Sequence, residues 1–361
     1  MRDSFMIRIG AVMPWFLVVG LGLTSRGEAQ TLDHPVALVT ATTETTPVAS
    51  EDDAADDSVI WVHPSDPVRS TIIGTNKQGG LVVYGLDGLE VHSYPIGRPN
   101  NVDLRKGFSL YGEKVDLVGT EDRSSNTVRL FAVQSQDGSL IEVSDGVLDA
   151  GKDVYGCGFY HSHKTGRFHF FVGSKNGTVS QFQLEARSGN RVGMTKVRTL
   201  NLDDQVEGIA ADDEAGVVYI GEEKKGVWKF SAEPDGGTSG SLISKVGRRN
   251  PLKKEDVEGI TIYKTGERSG FILVSSQGSN EYVVFDREAQ HLHLGTFQIG
   301  NGIVDGVQET DGIDVTSANL GAGLEKGLFV AQDGDNPGSN QNFKLVPWSR
   351  IEEALPQLKR R

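Results

Sequence analysis

Short runs of alternating apolar and polar residues recur along the whole chain, and each stops at a turn signal. Stretches such as "GLVVYGL", "TVRLFAV" and "GVWKFSA" have the period of strands, and the Asp-Gly, Asn-Gly and Gly-Gly pairs between such stretches favour hairpins. Long amphipathic helices are hard to find, so the pattern predicts an all-β fold. The stretch "QVEGIAADDEAGVVYIGEEKKGVWKF", from Gln205 to Phe230, predicts two strands around a polar turn, yet it carries carboxylates where the strands start and stop. These are Glu207 at one end and Glu222 and Glu223 at the other. The middle acids, Asp212, Asp213 and Glu214, read as a solvated turn.

The same unit recurs. "EGIAADDEAGVVYIGEE" from Glu207 is matched by "EGITIYKTGERSGFILVSSQG" from Glu258, "YGCGFYHSHKTGRFHFFVGSKNG" from Tyr155 and "DGIDVTSANLGAGLEKGLFVAQDG" from Asp311. Looser copies are "DSVIWVHPSDPVRSTIIGTNKQG" from Asp57 and "NVDLRKGFSLYGEKVDLVGTEDR" from Asn101. The units start roughly 45–55 residues apart, the period of a propeller blade. Each is followed by a further strand, which makes most of a four-stranded blade. A β-sandwich has turn signals without so long a repeat. The expected fold is a six-bladed β-propeller with four- to five-stranded antiparallel blades around a central channel. The alternating segment at residues 30–48 is expected to join the last blade and close the circle. Residues 349–361, "SRIEEALPQLKRR", predict a short helical tail without a chemical role.

Composition narrows the picture. A formal net charge of −13 argues against a nucleic-acid binder, which carries a basic face. Arg2 and Arg8 precede an apolar run from Ile9 to Leu23, and small and polar residues follow to Ala29. That is the layout of a secretory signal peptide over residues 1–29, leaving residues 30–361 as a single exported domain, periplasmic or secreted. After cleavage no membrane segment is expected. The single cysteine, Cys157, excludes an internal disulfide and reads as a small core residue.

In a propeller, corresponding positions of the repeats form rings at one end of the channel. The first expected ring is Asp57, Asn101, Tyr155, Glu207, Glu258 and Asp311, and the second is Lys77, Arg123, Lys175, Glu223, Gln277 and Asp333. Asp56, Glu222, Asp256 and Asp305 stand close by in sequence. The second ring is basic over three units and acidic or amide over the rest. Crowded carboxylates take up protons or bind cations, and oxygen ligands without histidine or thiolate favour Ca²⁺ or Mg²⁺, with flexible loops suiting Ca²⁺ better. A cationic wall facing a metal cluster suits a phosphate ester, with bound water as the nucleophile. No Gly-x-Ser-x-Gly elbow is present, so a covalent intermediate is disfavoured.

The segments "DDSVIWVHP", "NNVD", "DVYGCGFYHS", "KFSAEPDGG", "DVEGITIY", "SSQGSNEYVVFDR", "TDGIDV" and "NQNFKLVPW" resemble the β-propeller phytases, the calcium-dependent alkaline class of 3-phytase type, from about Asp56 to Trp348. The resemblance implies hydrolysis of phytate, myo-inositol hexakisphosphate, to lower inositol phosphates and inorganic phosphate by attack of a Ca²⁺-bound water, with several Ca²⁺ ions, structural and catalytic. It implies that Lys77, Arg123 and Lys175 bind phosphate, helped by Asn176, and that Tyr155, Glu207, Glu223, Asp256, Glu258, Gln277 and Asp311 are cleft ligands to Ca²⁺ and its waters, with Asp56 beside them. Lys77, Arg123, Tyr155, Lys175 and Glu223 form the implied catalytic set. Asp57 with the carbonyls of Ser58 and Val102 resembles a high-affinity calcium site, and Asp305, Asp335 and Asn336 resemble another. The expected partner is phytate as its calcium complex, bound by a monomer.

The chain departs from the family in places. A family Lys-Glu pair is Lys175-Asn176 here, the "DDP" of the first unit is "DDS", and Glu121-Asp122-Arg123 replaces a Ser-Asn-Arg-like run. A calcium-dependent lactonase on a similar scaffold needs no cationic wall, and a non-catalytic binding propeller usually exposes aromatics; both fit the second ring less well.

Overall fold

The computed structural model describes Met1 and residues 35–288 and 290–360. The predicted leader beyond Met1 and the first residues of the predicted closing segment lie outside the described residues. Among the described residues the strands form six sheets, two of five strands and four of four. Within each sheet the strands run antiparallel in chain order, apart from additions at the outer edges. The innermost strands are Ala55–Trp61, Pro99–Leu110, Val154–His161, Val206–Asp212, Val257–Lys264 and Ile313–Thr316. Each packs against the innermost strand of the next sheet, and Ile313–Thr316 packs back on Ala55–Trp61. The architecture is the expected six-bladed β-propeller.

The middle strands are buried on both faces, which explains why stretches such as Phe168–Ser174 and Gly270–Ser276 read as continuous apolar runs. The core is not one mass. It is divided into clusters, each lying between two neighbouring blades. Phe159 and Phe170 meet Leu117 and Leu130 between the second and third blades, for example, and Tyr219 meets Ile272 and Phe285 between the fourth and fifth. Cys157 is buried in the first of these clusters, as a small core residue should be.

Both ends of the described chain enter this scheme. Thr43–Glu44 pairs antiparallel with Asn342–Pro347 and supplies the outer strand of the sixth blade. Just before it, Ala37–Thr40 runs parallel to His293–Gly300 at the edge of the fifth. After the last strand, a helix over Trp348–Ala354 and a 3₁₀ turn over Pro356–Arg360 follow. This segment is more than a tail. Trp348, Ile351, Leu355 and Leu358 are buried between the fifth and sixth blades, and the Trp348 ring stacks on Tyr263 with centroids 3.7 Å apart.

The acids expected to form a solvated turn are instead built into the junctions between blades. Asp212 is 1% exposed and takes a bidentate pair from Arg287, at 2.6 and 2.7 Å. Glu214 accepts from the same guanidinium at 2.8 Å and from Lys264. Asp213 pairs with Arg105 at 3.2 Å. Arg287 lies 75 residues from Asp212, so no local pattern in the sequence marks the pairing. Burial forces such pairing, because an isolated buried charge costs several kcal/mol.

Candidate active site

The site is built from a repeated irregularity. The pairing of the innermost strand with its neighbour slips between Ala55 and Ser58, Pro99 and Val102, Val154 and Cys157, Val206 and Ile209, and Val257 and Ile260. Each slip is a β-bulge, which re-aims side chains at a strand end. Two residues fall inside each one: Asp56-Asp57, Asn100-Asn101, Tyr155-Gly156, Glu207-Gly208 and Glu258-Gly259. Asp311-Gly312 holds the equivalent place just before Ile313–Thr316. Tyr155, Glu207, Glu258 and Asp311, each first of its pair, line an open cavity of about 420 Å³. The second residues Asp57, Asn101, Gly208 and Gly259 line a separate cavity of about 390 Å³ along the channel.

This register corrects both expected rings. The first is Asp56, Asn100, Tyr155, Glu207, Glu258 and Asp311; Asp57 and Asn101 take the position that is glycine in the other blades. In the second ring the same count puts Gly334, not Asp333, in line with Lys77, Arg123, Lys175, Glu223 and Gln277. Gly334 lines the cavity.

The glycines are there because adjacent blades nearly touch. A Cβ on Gly156 would lie 2.0 Å from the Glu207 carbonyl oxygen, and one on Gly208 would lie 2.1 Å from that of Glu258. Gly259 N–H donates to the Asp311 carbonyl at 2.9 Å, and Gly312 N–H to that of Asp56 at 3.0 Å. Blades are thus joined head to tail through the very residues that carry the acids. Gly208→Ala is therefore expected to displace Glu258 and cost about 2–4 kcal/mol of stability together with most of the activity, read by melting and turnover. In the first two blades, where the glycine is replaced, side chains accept the bulge N–H groups. Thr75 Oγ1 accepts from Asp57 N–H and Glu121 Oε1 from Asn101 N–H, each at 2.9 Å. Burial lifts the Glu121 carboxyl to about 8.

The acids converge. Glu207, Glu223 and Glu258 each offer an oxygen, and these atoms lie within 4.8 Å of one another. Burial first, and then repulsion from Glu258, Asp56 and Asp311, holds Glu207 well above the usual carboxylate range, and burial with repulsion from Asp311, Glu223 and Asp56 does the same for Glu258. The same balance, eased by Lys77, puts Asp311 at about 8. Glu258 Oε2 and Asp56 Oδ1 are buried without a hydrogen-bond partner. A set of hard oxygen donors, crowded and partly unsatisfied, fits a hard divalent cation. Amides orient the acids. Gln205 Nε2 donates to Glu223, Gln277 Nε2 donates to Asp311, Asn100 Nδ2 donates to Glu207 at 2.7 Å, and Gln332 Oε1 accepts Asp311 N–H at 2.8 Å. Asp256 lines the cavity from a left-handed conformation (φ 71°).

The basic residues divide. Arg123 and Lys175 lie over the Tyr155 ring, at 5.6 and 4.2 Å from its centroid. Lys77, expected on the same wall, is inserted among the acids, within 3.1 Å of Asp53, Asp56 and Asp311. Burial alone would lower its ammonium, but these carboxylates outweigh burial and raise it. Asn176 Oδ1 accepts from Ser174 Oγ at 2.7 Å and from Thr178 N–H at 3.1 Å, so it first serves its own turn. Asp53, Gln205, Glu309, Gln332 and Gln341 also line the cavity and were not foreseen. For Gln205 and Asp53 the available signal was position, just ahead of Glu207 and Asp56.

Asp57, Ser58 and Val102 come together along the channel, where Asp57 Oδ2 accepts from Val102 N–H at 3.1 Å and Asn101 Nδ2 at 3.2 Å. Asp305 is held by an ammonium. It pairs with Lys344, which also holds Glu44 at 2.5 Å and Asp333 at 3.1 Å. Asn336 Nδ2 donates within its own loop to the Asn340 carbonyl, and Asp335 is exposed. Glu222 is a support: its oxygens accept from the Asp203 and Asp204 N–H groups, both at 2.9 Å, and from Trp228 Nε1 at 2.7 Å.

Comparison with known proteins agrees with this geometry. A solved structure similar to this fold is the calcium-binding protein regucalcin of Agrobacterium tumefaciens str. C58, with a TM-score of 0.52, 12% identity, and coverage of 87% of this chain and 96% of that one. At that identity the likeness concerns the fold alone. The 3-phytase of Bacillus subtilis (strain 168) is 43% identical over 330 residues, 89% of this chain and 86% of that protein. The family model described as Phytase matches residues 9–359. With a family match along nearly its whole length and so close a relative, the chain belongs to the phytase family, and its reaction is the hydrolysis of phytate.

Proposed function

We propose that this phytase works with Ca²⁺ held at the carboxylate mouth, and that it takes phytate as the calcium complex. The observation carrying this reading is the convergence of Glu207, Glu223 and Glu258 beside two cations on Tyr155. When bound, calcium supplies positive charge that polarises a phosphoryl group and eases deprotonation of water. Glu207, Glu223, Glu258, Asp256 and Asp311, with Tyr155, Gln277 and Asp56, would hold it. Arg123 and Lys175 hold phosphate oxygens from the other side and fix the inositol ring in place. The amides of Gln205, Gln277 and Asn100 keep the carboxylates aimed, so the site needs little rearrangement during the reaction. Asp57 with Ser58 and Val102 is assigned a structural calcium ion. The working unit is a monomer, exported by its leader and active in the periplasm or outside the cell.

The test is phosphate release from phytate in calcium-depleted buffer, then with Ca²⁺ or Mg²⁺ restored. Release is expected with Ca²⁺ and to be at least about tenfold slower with Mg²⁺, whose strict octahedral demand this crowded set of oxygen donors meets poorly. Full release in the depleted buffer would sink the calcium reading.

A further inference from the structure

An ammonium has three N–H donors. Those of Lys77 have three carboxylates to face: Asp53 Oδ1 at 2.5 Å, Asp56 Oδ2 at 3.0 Å and Asp311 Oδ2 at 3.1 Å. The side chain is 5% exposed, and the backbone is pinned by Lys77 N–H donating to the Ala54 carbonyl at 2.6 Å. In this arrangement no donor is left for a phosphate. Arg123 and Lys175 differ: among the described residues neither makes an ion pair, and Lys175 is exposed. Two of the three Lys77 partners, Asp56 and Asp311, belong to the acid ring that also surrounds Glu207 and Glu258. The ammonium thus stands where a counter-cation of that ring would stand. Asp53, the third partner, is largely solvent-exposed.

We infer that Lys77 is an exchangeable counter-cation, an inference that rests on the calcium reading above. Without a divalent ion it neutralises Asp53, Asp56 and Asp311 and is closed to substrate. When Ca²⁺ takes over these carboxylates, the ammonium swings into the cavity and becomes a phosphate ligand. Metal loading and phosphate binding are then coupled through one side chain, and the coupling is reciprocal: phosphate held by Lys77 strengthens calcium binding. The metal-free enzyme is silent for two reasons, the missing ion and an occupied lysine.

The test needs no turnover. The full chain, freed of metal, is labelled with an amine-reactive reagent at increasing Ca²⁺ without substrate, and Lys77 is followed by mass spectrometry. Its labelling is expected to rise several-fold with calcium; unchanged or reduced labelling overturns the exchange. In parallel, Lys77→Met keeps an apolar stem and removes the competing charge. Its calcium affinity by calorimetry is expected to increase about tenfold. An affinity equal to or weaker than that of the wild type, in a variant that melts cooperatively, also overturns the exchange. If the variant does not fold, the wild-type labelling decides alone. Phosphate release that proves independent of calcium removes the calcium reading itself; calcium-dependent release with no change in labelling removes only the exchange.

Discussion

Glu223→Ala is expected to lower turnover on phytate by at least about a hundredfold at saturating calcium, with the fold intact. The side chain sits in the acid cluster and accepts one amide, from Gln205. Its backbone does the structural work: Glu223 N–H donates to the Gln205 carbonyl, and the Glu223 carbonyl accepts from Asp256 N–H, both at 3.1 Å. Those bonds survive truncation at Cβ. The neighbouring substitution separates the two roles. Glu222→Ala abandons two backbone N–H groups and the Trp228 indole, so it should lose about 2–4 kcal/mol of stability while each folded molecule keeps its activity. Turnover and melting temperature measured for both variants form the test. A Glu223→Ala enzyme with wild-type turnover would refute the metal role of this residue, and a stable Glu222→Ala protein would refute the support.

Chelation is expected to unfold the protein more easily, and the loss should grow with pH. Ions that bind only the native state add to its stability, so removing them lowers the melting temperature. The pH dependence follows from the bare cluster. Burial and mutual repulsion raise the carboxyls of Glu207, Glu258 and Asp311 in the folded chain, Asp311 to about 8. A folded-state value above the unfolded one means that the folded cluster prefers its protons. The associated stability is fully present below the ordinary carboxylate range and is lost as pH rises through about 8. In chelator the protein should therefore melt lower at about pH 9 than at about pH 5, and added Ca²⁺ should remove most of the difference. A chelated protein whose melting temperature is the same at both values, or the same as with calcium, contradicts the assignment.

The blades could be read from the sequence because each repeats a strand pattern with glycine and acid at fixed places, and the ring follows once the period is seen. The residue-level register could not. "EG", "YG" and "DG" mark the bulge where glycine is present, but "DD" and "NN" offer two equivalent residues. Only the pairing Ala55↔Asn76 and Ser58↔Gly74 identifies Asp56 as the counterpart of Glu207. Asp333 was placed by the same kind of count and proved to be the counterpart of Glu222, facing Lys344 instead of the cavity. The acids Asp212, Asp213 and Glu214 read as solvent-facing because turns usually are. Their partners Arg287 and Arg105 come from other blades, and nothing near them in sequence announces the contact. Lys77 was legible as a site residue but not as one held by acids, since Asp53 and Asp311 reach it from opposite ends of the chain.

The outer strand of the sixth blade has a consequence for how the molecule is made. Thr42 N–H and Oγ1 both reach the Leu345 carbonyl, 303 residues further on. A ribosome that has finished the first five blades has not yet supplied the partner of Thr43–Glu44. Until Asn342–Pro347 emerges, Thr43–Glu44 has no neighbour and Ala55–Trp61 has no Ile313–Thr316 to lean on. The acid ring is divided in the same way, with Asp56 made early and Asp311 late. Ring closure and completion of the acid ring are thus a single late event in the life of each chain, and a nascent propeller carries its full set of cavity acids only after its last strand has docked.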